Sequence, residues 1–222
     1  MSDRVALVVG ATGLIGKALL ALLIESKEHQ KVVVLARRAG PALPEKVEWR
    51  VVDFDQPSAY QDLAGIHEIY CCLGTTIKQA GSQEAFRKVD HQYPLALAQA
   101  ARAAGVPKFL VVTAMGSDPG SAIFYNRVKG ELERELSTLG FPNLVIARPS
   151  LLVGERDVAR SGEGIANLAM GLVGPLMRGP LAKYRAIAGT TVAAALLRLA
   201  KEAGPGNTIV LSDRLQALGA HP

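Results

Sequence analysis

Cysteine is nearly missing from this chain: of 222 residues only Cys71 and Cys72 carry a thiol, side by side in an apolar run. Neighbouring cysteines cannot staple distant segments, so a disulfide framework is excluded and a reducing compartment, the cytoplasm, is the expectation. No secretion-signal layout opens the chain, because residues 5–9 run straight into a glycine turn and have the pattern of a first strand. No apolar run is long enough to span the roughly 30 Å hydrocarbon layer of a bilayer. The most apolar stretch, residues 164–177, is short and broken by glycines and Pro175. Charge of one sign is also never concentrated: 25 basic and 20 acidic residues leave a net charge of +5, with no basic block to track a nucleic-acid backbone. Neither nucleic acid nor membrane is therefore expected as a partner. His67 and His91 have no neighbouring ligand pattern, so no metal is expected. There is no internal repeat or low-complexity tract, and about half the residues are hydrophobic against a fifth charged, which excludes disorder.

What is present is an alternation. Short β-branched runs at 5–9 and 32–36 bracket an amphipathic segment at 14–26, a strand-helix-strand unit. Further strands are expected at 47–52, 68–73, 108–113 and 144–147. Helices are expected at 82–104, stopped by Gly105 and Pro107, and at 122–139, stopped by Gly140. Near-continuous apolar strands joined by helical crossovers imply parallel pairing with both faces buried. The fold class is thus α/β, a doubly wound parallel sheet of the Rossmann type, with the ligand at the carboxyl ends of the strands. One domain is expected over residues 1–222, divided into a dinucleotide-binding core at 1–150 and a substrate-side segment at 151–222. That segment holds a helix near 190–200 and a strand at 208–211. Residues 151–188 are expected to line a pocket for an apolar ligand of modest size, and Leu168, Met170, Leu172, Leu176 and Met177 to be core or pocket lining instead of a dedicated cofactor feature.

The turn Gly10-Ala11-Thr12-Gly13-Leu14-Ile15-Gly16 follows the first strand and opens the first helix. In that context the first glycine allows the tight turn, the second leaves room for a pyrophosphate and the third lets helix and strand approach, while the helix start offers N–H donors. Thr12, Leu14 and Ile15 belong to the same candidate cofactor site. Strand two ends not in a carboxylate but in Arg37-Arg38. Two guanidiniums suit a 2′-phosphate, so NADP(H) is expected over NAD(H). Asp53 and Phe54, after strand three, stand where an adenine would lie. Leu73 and Gly74, after strand four, let a cofactor pass close to backbone.

Tyr125 and Lys129 sit four residues apart on a predicted helix and so share a face. A phenol titrates near 10 in water and is a poor acid or base at neutral pH, but a neighbouring cation stabilises its phenolate. With the glycine turn in the same chain, this pair falls beside the expected nicotinamide.

These two motifs resemble the short-chain dehydrogenase/reductase superfamily over about the first 150 residues. More narrowly, Cys72-Leu73-Gly74-Thr75-Thr76, Val89-Asp90, Phe124 to Glu131 and Ala147-Arg148-Pro149-Ser150 resemble its atypical branch, the Tat-interactive-protein-like oxidoreductases and their bacterial relatives, over nearly the whole chain. The resemblance implies a tyrosine that passes a proton to a substrate carbonyl and a lysine that also holds the ribose hydroxyls. It implies in addition a hydroxyl group after strand five, for which Thr113 is the best match and Ser117 the alternative. Thr113-Ala114-Met115-Gly116-Ser117 departs from the branch's more usual paired serines. Arg148 is expected to fix the exit of strand six near the nicotinamide. The expected activity is hydride transfer between NADP(H) and a small carbonyl or alcohol, a small molecule is the expected partner, and a homodimer is compatible with the sequence. The alternative is a cofactor-binding regulatory or redox-sensing protein. A sugar-nucleotide epimerase is disfavoured by the short C-terminal segment.

Overall fold

A computed structural model describes residues 4–154 and 183–220. Seven strands form one sheet in the order β3-β2-β1-β4-β5-β6-β9, every neighbouring pair parallel. They are β1 (Arg4–Val9), β2 (His29–Ala36), β3 (Val47–Val51), β4 (Glu68–Cys71), β5 (Lys108–Val112), β6 (Asn143–Arg148) and β9 (Gly206–Leu211). A separate pair, β7 (Leu152–Val153) and β8 (Ile187–Ala188), stands beyond the end of β6. The helices are α1 (Leu14–Glu25), α2 (Ile77–Ala80), α3 (Gln83–Arg87), α4 (Tyr93–Ala103), α5 (Phe124–Thr138), α6 (Gly189–Glu202) and α7 (Ser212–Gly219).

Alternation along the strands divides the core in two, because successive side chains leave a strand on opposite faces. Ala6, Val8, Leu110, Val145 and Ala147 face one layer, packed with α1, α6 and α7 through Leu19, Leu23, Val192, Leu196 and Leu215. Leu7, Val9, Ile69, Phe109, Val111, Leu144 and Ile146 face the other, packed with α4 and α5 through Leu97, Ala101, Leu132 and Leu136. The doubly wound sheet expected from the sequence is thus the fold observed.

Two expectations are corrected. The helix expected over 82–104 is interrupted: α3, capped by Ser82 Oγ on the Ala85 N–H at 3.0 Å, passes into a wide π turn at Lys88–Gln92 before α4 begins. Pro94 supplies no N–H to the helical ladder, and the Tyr93 N–H bonds the Lys88 carbonyl five residues back. The segment after 150 is also more than substrate-side structure. Residues 189–220 complete the sheet with β9 and bury Val192, Leu196, Leu199, Leu215 and Leu218 against the core. Glycines and the prolines around 175–180 obscured this, but the 192-196-199 spacing is that of a buried helix face. The apolar stretch at 164–177, with Leu168, Met170, Leu172, Leu176 and Met177, lies outside the described residues.

Candidate functional site

The carboxyl ends of β1, β4 and β5 bring the sequence-predicted groups to one edge of the sheet. Gly10 has φ of +83°, and an added Cβ would lie 2.5 Å from the Cys72 carbonyl oxygen, so only glycine lets the first turn press against the end of β4 beside Leu73. At Gly16 an added Cβ would meet the Gly10 carbonyl oxygen at 2.1 Å. Gly13 differs: its added Cβ would meet only that same oxygen, at 3.3 Å. Gly13 and Thr12 are exposed, no side chain caps the start of α1 and no acidic residue stands in its first turn. The free N–H groups there form the positive end of a helix dipole facing an open surface, a cradle suited to a pyrophosphate.

The side chains of Leu14 and Ile15 do other work. Ile15 is buried in the core, which leaves only its backbone for a ligand. Leu14 wedges between Gly154 and Gly189, where added Cβ atoms would stand 2.7 and 2.5 Å from its side chain. Arg37 and Arg38 are exposed at the end of β2, and neither guanidinium meets a carboxylate among the described residues. The Arg38 carbonyl accepts a hydrogen bond from Trp49 Nε1 at 2.8 Å, which anchors the backbone of this loop. Asp53 is exposed and its Oδ1 accepts the Asp55 N–H at 3.0 Å, a local turn. The Phe54 ring is buried and stacked on Tyr93 at 5.5 Å, so it packs the core instead of an adenine. Gly74 is exposed beyond Leu73.

On α5, Tyr125 is half-buried with its ring 5.4 Å from that of Phe86. One turn on, Lys129 is buried with its Nζ 2.8 Å from Asp90 Oδ1. Burial alone would lower the pKa of this ammonium, but the charges of Asp90 and Tyr125 outweigh it and raise the value, so Lys129 is held as a cation. The other Asp90 oxygen, Oδ2, accepts the Thr75 N–H at 2.8 Å. Asp90 received no role from the sequence. Its signal was there: an acid on the apolar face marked by Phe86 and Leu97, all three fully buried, has to find a cation.

Both hydroxyl candidates after β5 are buried and already donate to backbone: Thr113 Oγ1 to the Ala147 carbonyl at 3.3 Å, Ser117 Oγ to the Ala114 carbonyl at 2.7 Å. Arg148 is spent on an ion pair with buried Glu133, its Nε lying 3.1 and 3.0 Å from the two carboxylate oxygens. That pair ties β6 to α5 and leaves little of the guanidinium for a cofactor. His67 Nδ1 accepts the Val5 N–H at 3.1 Å, and His91 Nε2 lies 3.2 Å from Glu135 Oε1. Among the described residues no group of His, Cys, Asp and Glu is arranged to hold a metal, and no helix is long and apolar enough to cross a membrane.

A parallel sheet with a glycine-lined helix start at its carboxyl edge defines a nicotinamide-dinucleotide-binding protein of the Rossmann class. More particularly, residues 6–122 match the NAD dependent epimerase/dehydratase family, and the chain belongs to it. Among curated relatives it is 39% identical over 159 residues to Protein FMP52, mitochondrial, of Eremothecium gossypii, covering 72% of this chain and 71% of that protein. It is 34% identical over 175 residues to Protein HTATIP2 of Rattus norvegicus, covering 77% and 72%. Among solved structures, the Bordetella bronchiseptica enzyme WbmH in complex with NAD+ superposes with a TM-score of 0.71 at 15% identity, covering 98% of this chain and 80% of that one. The atypical short-chain branch read from the motifs accords with these relatives. The expectation of a cytoplasmic protein is overturned, because the FMP52 relatives are named as mitochondrial. Scarce, unpaired cysteines argue only against an oxidising compartment and do not separate one reducing compartment from another.

Proposed function

We propose that this chain is an NADP(H)-dependent oxidoreductase that interconverts a small carbonyl and its alcohol. The observation that carries the proposal is the Tyr125-Lys129 pair on α5, with a buried, charged lysine one helical turn from a half-buried phenol at the edge where the glycine cradle opens. A dinucleotide held by its pyrophosphate at that cradle would supply or accept the hydride through its nicotinamide. Tyr125 donates the proton to the carbonyl oxygen in reduction and takes it back in oxidation. The Lys129 cation steadies the oxygen of Tyr125 and, as the resemblance implies, would be the group that holds the ribose hydroxyls. Arg37 and Arg38, exposed and without carboxylate partners among the described residues, support a 2′-phosphate on the adenosine ribose. The uncapped N–H groups that start α1 support a pyrophosphate at the cradle.

Replacing Tyr125 with Phe is expected to abolish NADPH-dependent reduction across a panel of small aldehydes and ketones while cofactor affinity stays within about threefold; unchanged turnover would sink the proposal. In a fluorescence titration, Arg37→Ala with Arg38→Ala is expected to weaken NADPH at least about tenfold and leave NADH nearly unmoved. Equal losses for both would remove the argument for the phosphate.

A second reading, a cofactor sensor with little turnover, is favoured by one observation: the buried Thr113 and Ser117 hydroxyls both lie within hydrogen-bond distance of backbone carbonyls, of Ala147 at 3.3 Å and of Ala114 at 2.7 Å. Tight NADPH binding with no turnover on any carbonyl tested would favour it.

A further inference from the structure

Asp90 stands at the middle of the π turn, at the point where the helical path between α3 and α4 is widened. Its side chain is 1% exposed and that of Lys129 is 3% exposed, so the 2.8 Å contact between them is an ion pair closed off from water. The carboxylate is held from a second direction by the Thr75 N–H, which belongs to the loop leaving β4 just after Leu73 and Gly74. Three segments are thereby joined at one carboxylate: the loop at the dinucleotide edge, the widened turn and the helix that carries Tyr125. π turns concentrate at functional sites because they displace a side chain from its place in a regular helix.

We propose that Asp90 is a positioning residue, which keeps Lys129 charged and fixed one turn below Tyr125. The inference rests on the oxidoreductase reading of that pair. An ammonium in a dry interior loses its proton readily unless a carboxylate faces it, and a neutral amine gives the phenol no field. Asp90 supplies that carboxylate, and the Thr75 N–H keeps it from turning away. The groups facing the pair are few. From α5 come Lys129 and Tyr125; from β4 comes the Cys71 thiol, pushed up to about 11 by burial and so neutral through the working range. From the loop after β4 only the backbone of Thr75 contributes, and the adjacent His91 is engaged with Glu135 instead.

Asp90→Asn keeps the shape and an oxygen for the Thr75 N–H but removes the charge. Its kcat/KM for NADPH-dependent carbonyl reduction is expected to lose its alkaline limb about one pH unit or more below the wild type, since the unpaired Lys129 gives up its proton earlier. A limb that stays in place overturns the proposal. A melting cycle checks the same pair without turnover: Asp90→Asn with Lys129→Met is expected to melt above Asp90→Asn alone, because the stranded ammonium is gone. Strictly additive losses overturn the proposal as well. Full activity in Tyr125→Phe would instead overturn the oxidoreductase reading, and the melting cycle then decides whether Asp90 holds Lys129 charged.

Discussion

At Gly13 a methyl group would touch only the Gly10 carbonyl oxygen, at 3.3 Å, and otherwise stand on the open ligand side, whereas at Gly16 it would drive into that oxygen at 2.1 Å. The two positions should therefore fail differently. Gly13→Ala is expected to keep its melting temperature within about 2 °C and lose NADPH affinity at least about tenfold. Gly16→Ala is expected to melt several degrees lower, in a thermal scan with no cofactor added. The motif alone names both glycines, but only the packing separates a ligand's glycine from the fold's own. The same limit applies to Ile15, Phe54 and Arg148: their places in the chain point to a cofactor, yet the first two fill the core and the third is taken by Glu133. Side-chain partners far along the chain decide such cases, and no local pattern carries them. Tyr125 and Lys129 were legible because a spacing of four on a helix is itself a geometric statement.

Elements were legible wherever their periodicity ran without a break. The seven expected strands all form, with ends shifted by a few residues, since apolar β-branched runs have few alternatives in a sheet covered on both faces. The widened turn at Lys88–Gln92 was hidden by an amphipathic pattern that carries through it, even though Pro94 marked the place. The short α2, β7 and β8 bury too little to leave a trace. Besides its buried Leu132 and Leu136, α5 is tied to the sheet by a contact that the sequence does not reveal, the Arg148–Glu133 pair. Glu133→Ala strands a largely buried guanidinium and is expected to cost about 3 kcal/mol in urea unfolding. Arg148→Met with Glu133→Leu should recover most of that loss; failure to recover would show that the pair does more than hold α5.

Across the whole molecule, the end of the sheet opposite the cradle is closed by a buried charge network. Glu68 Oε1 accepts from Tyr70 at 2.7 Å and lies 2.7 Å from His29 Nε2, while Oε2 accepts from Arg4 at 2.8 Å. Burial pushes the Glu68 carboxyl up, but these bonds and the Arg4 charge outweigh it and hold its pKa below the ordinary value. A carboxyl depressed in the folded state stabilises fully above its unfolded pKa, near 4.5, and that contribution is lost as pH falls through the folded value. The melting temperature is thus expected to fall off below about pH 4.5, and Glu68→Gln to flatten that fall while lowering stability at pH 7. The other long-range feature is the packing of α1 against α6, in which Leu14 lies under Gly189. It has a consequence in time. During synthesis the first helix is complete at Glu25, while the helix that covers it begins only at Gly189, so its apolar face waits until the residues from Gly189 on have been made. A chain ended before Gly189 is expected to aggregate and to bind no dinucleotide, despite containing every residue of the glycine turn.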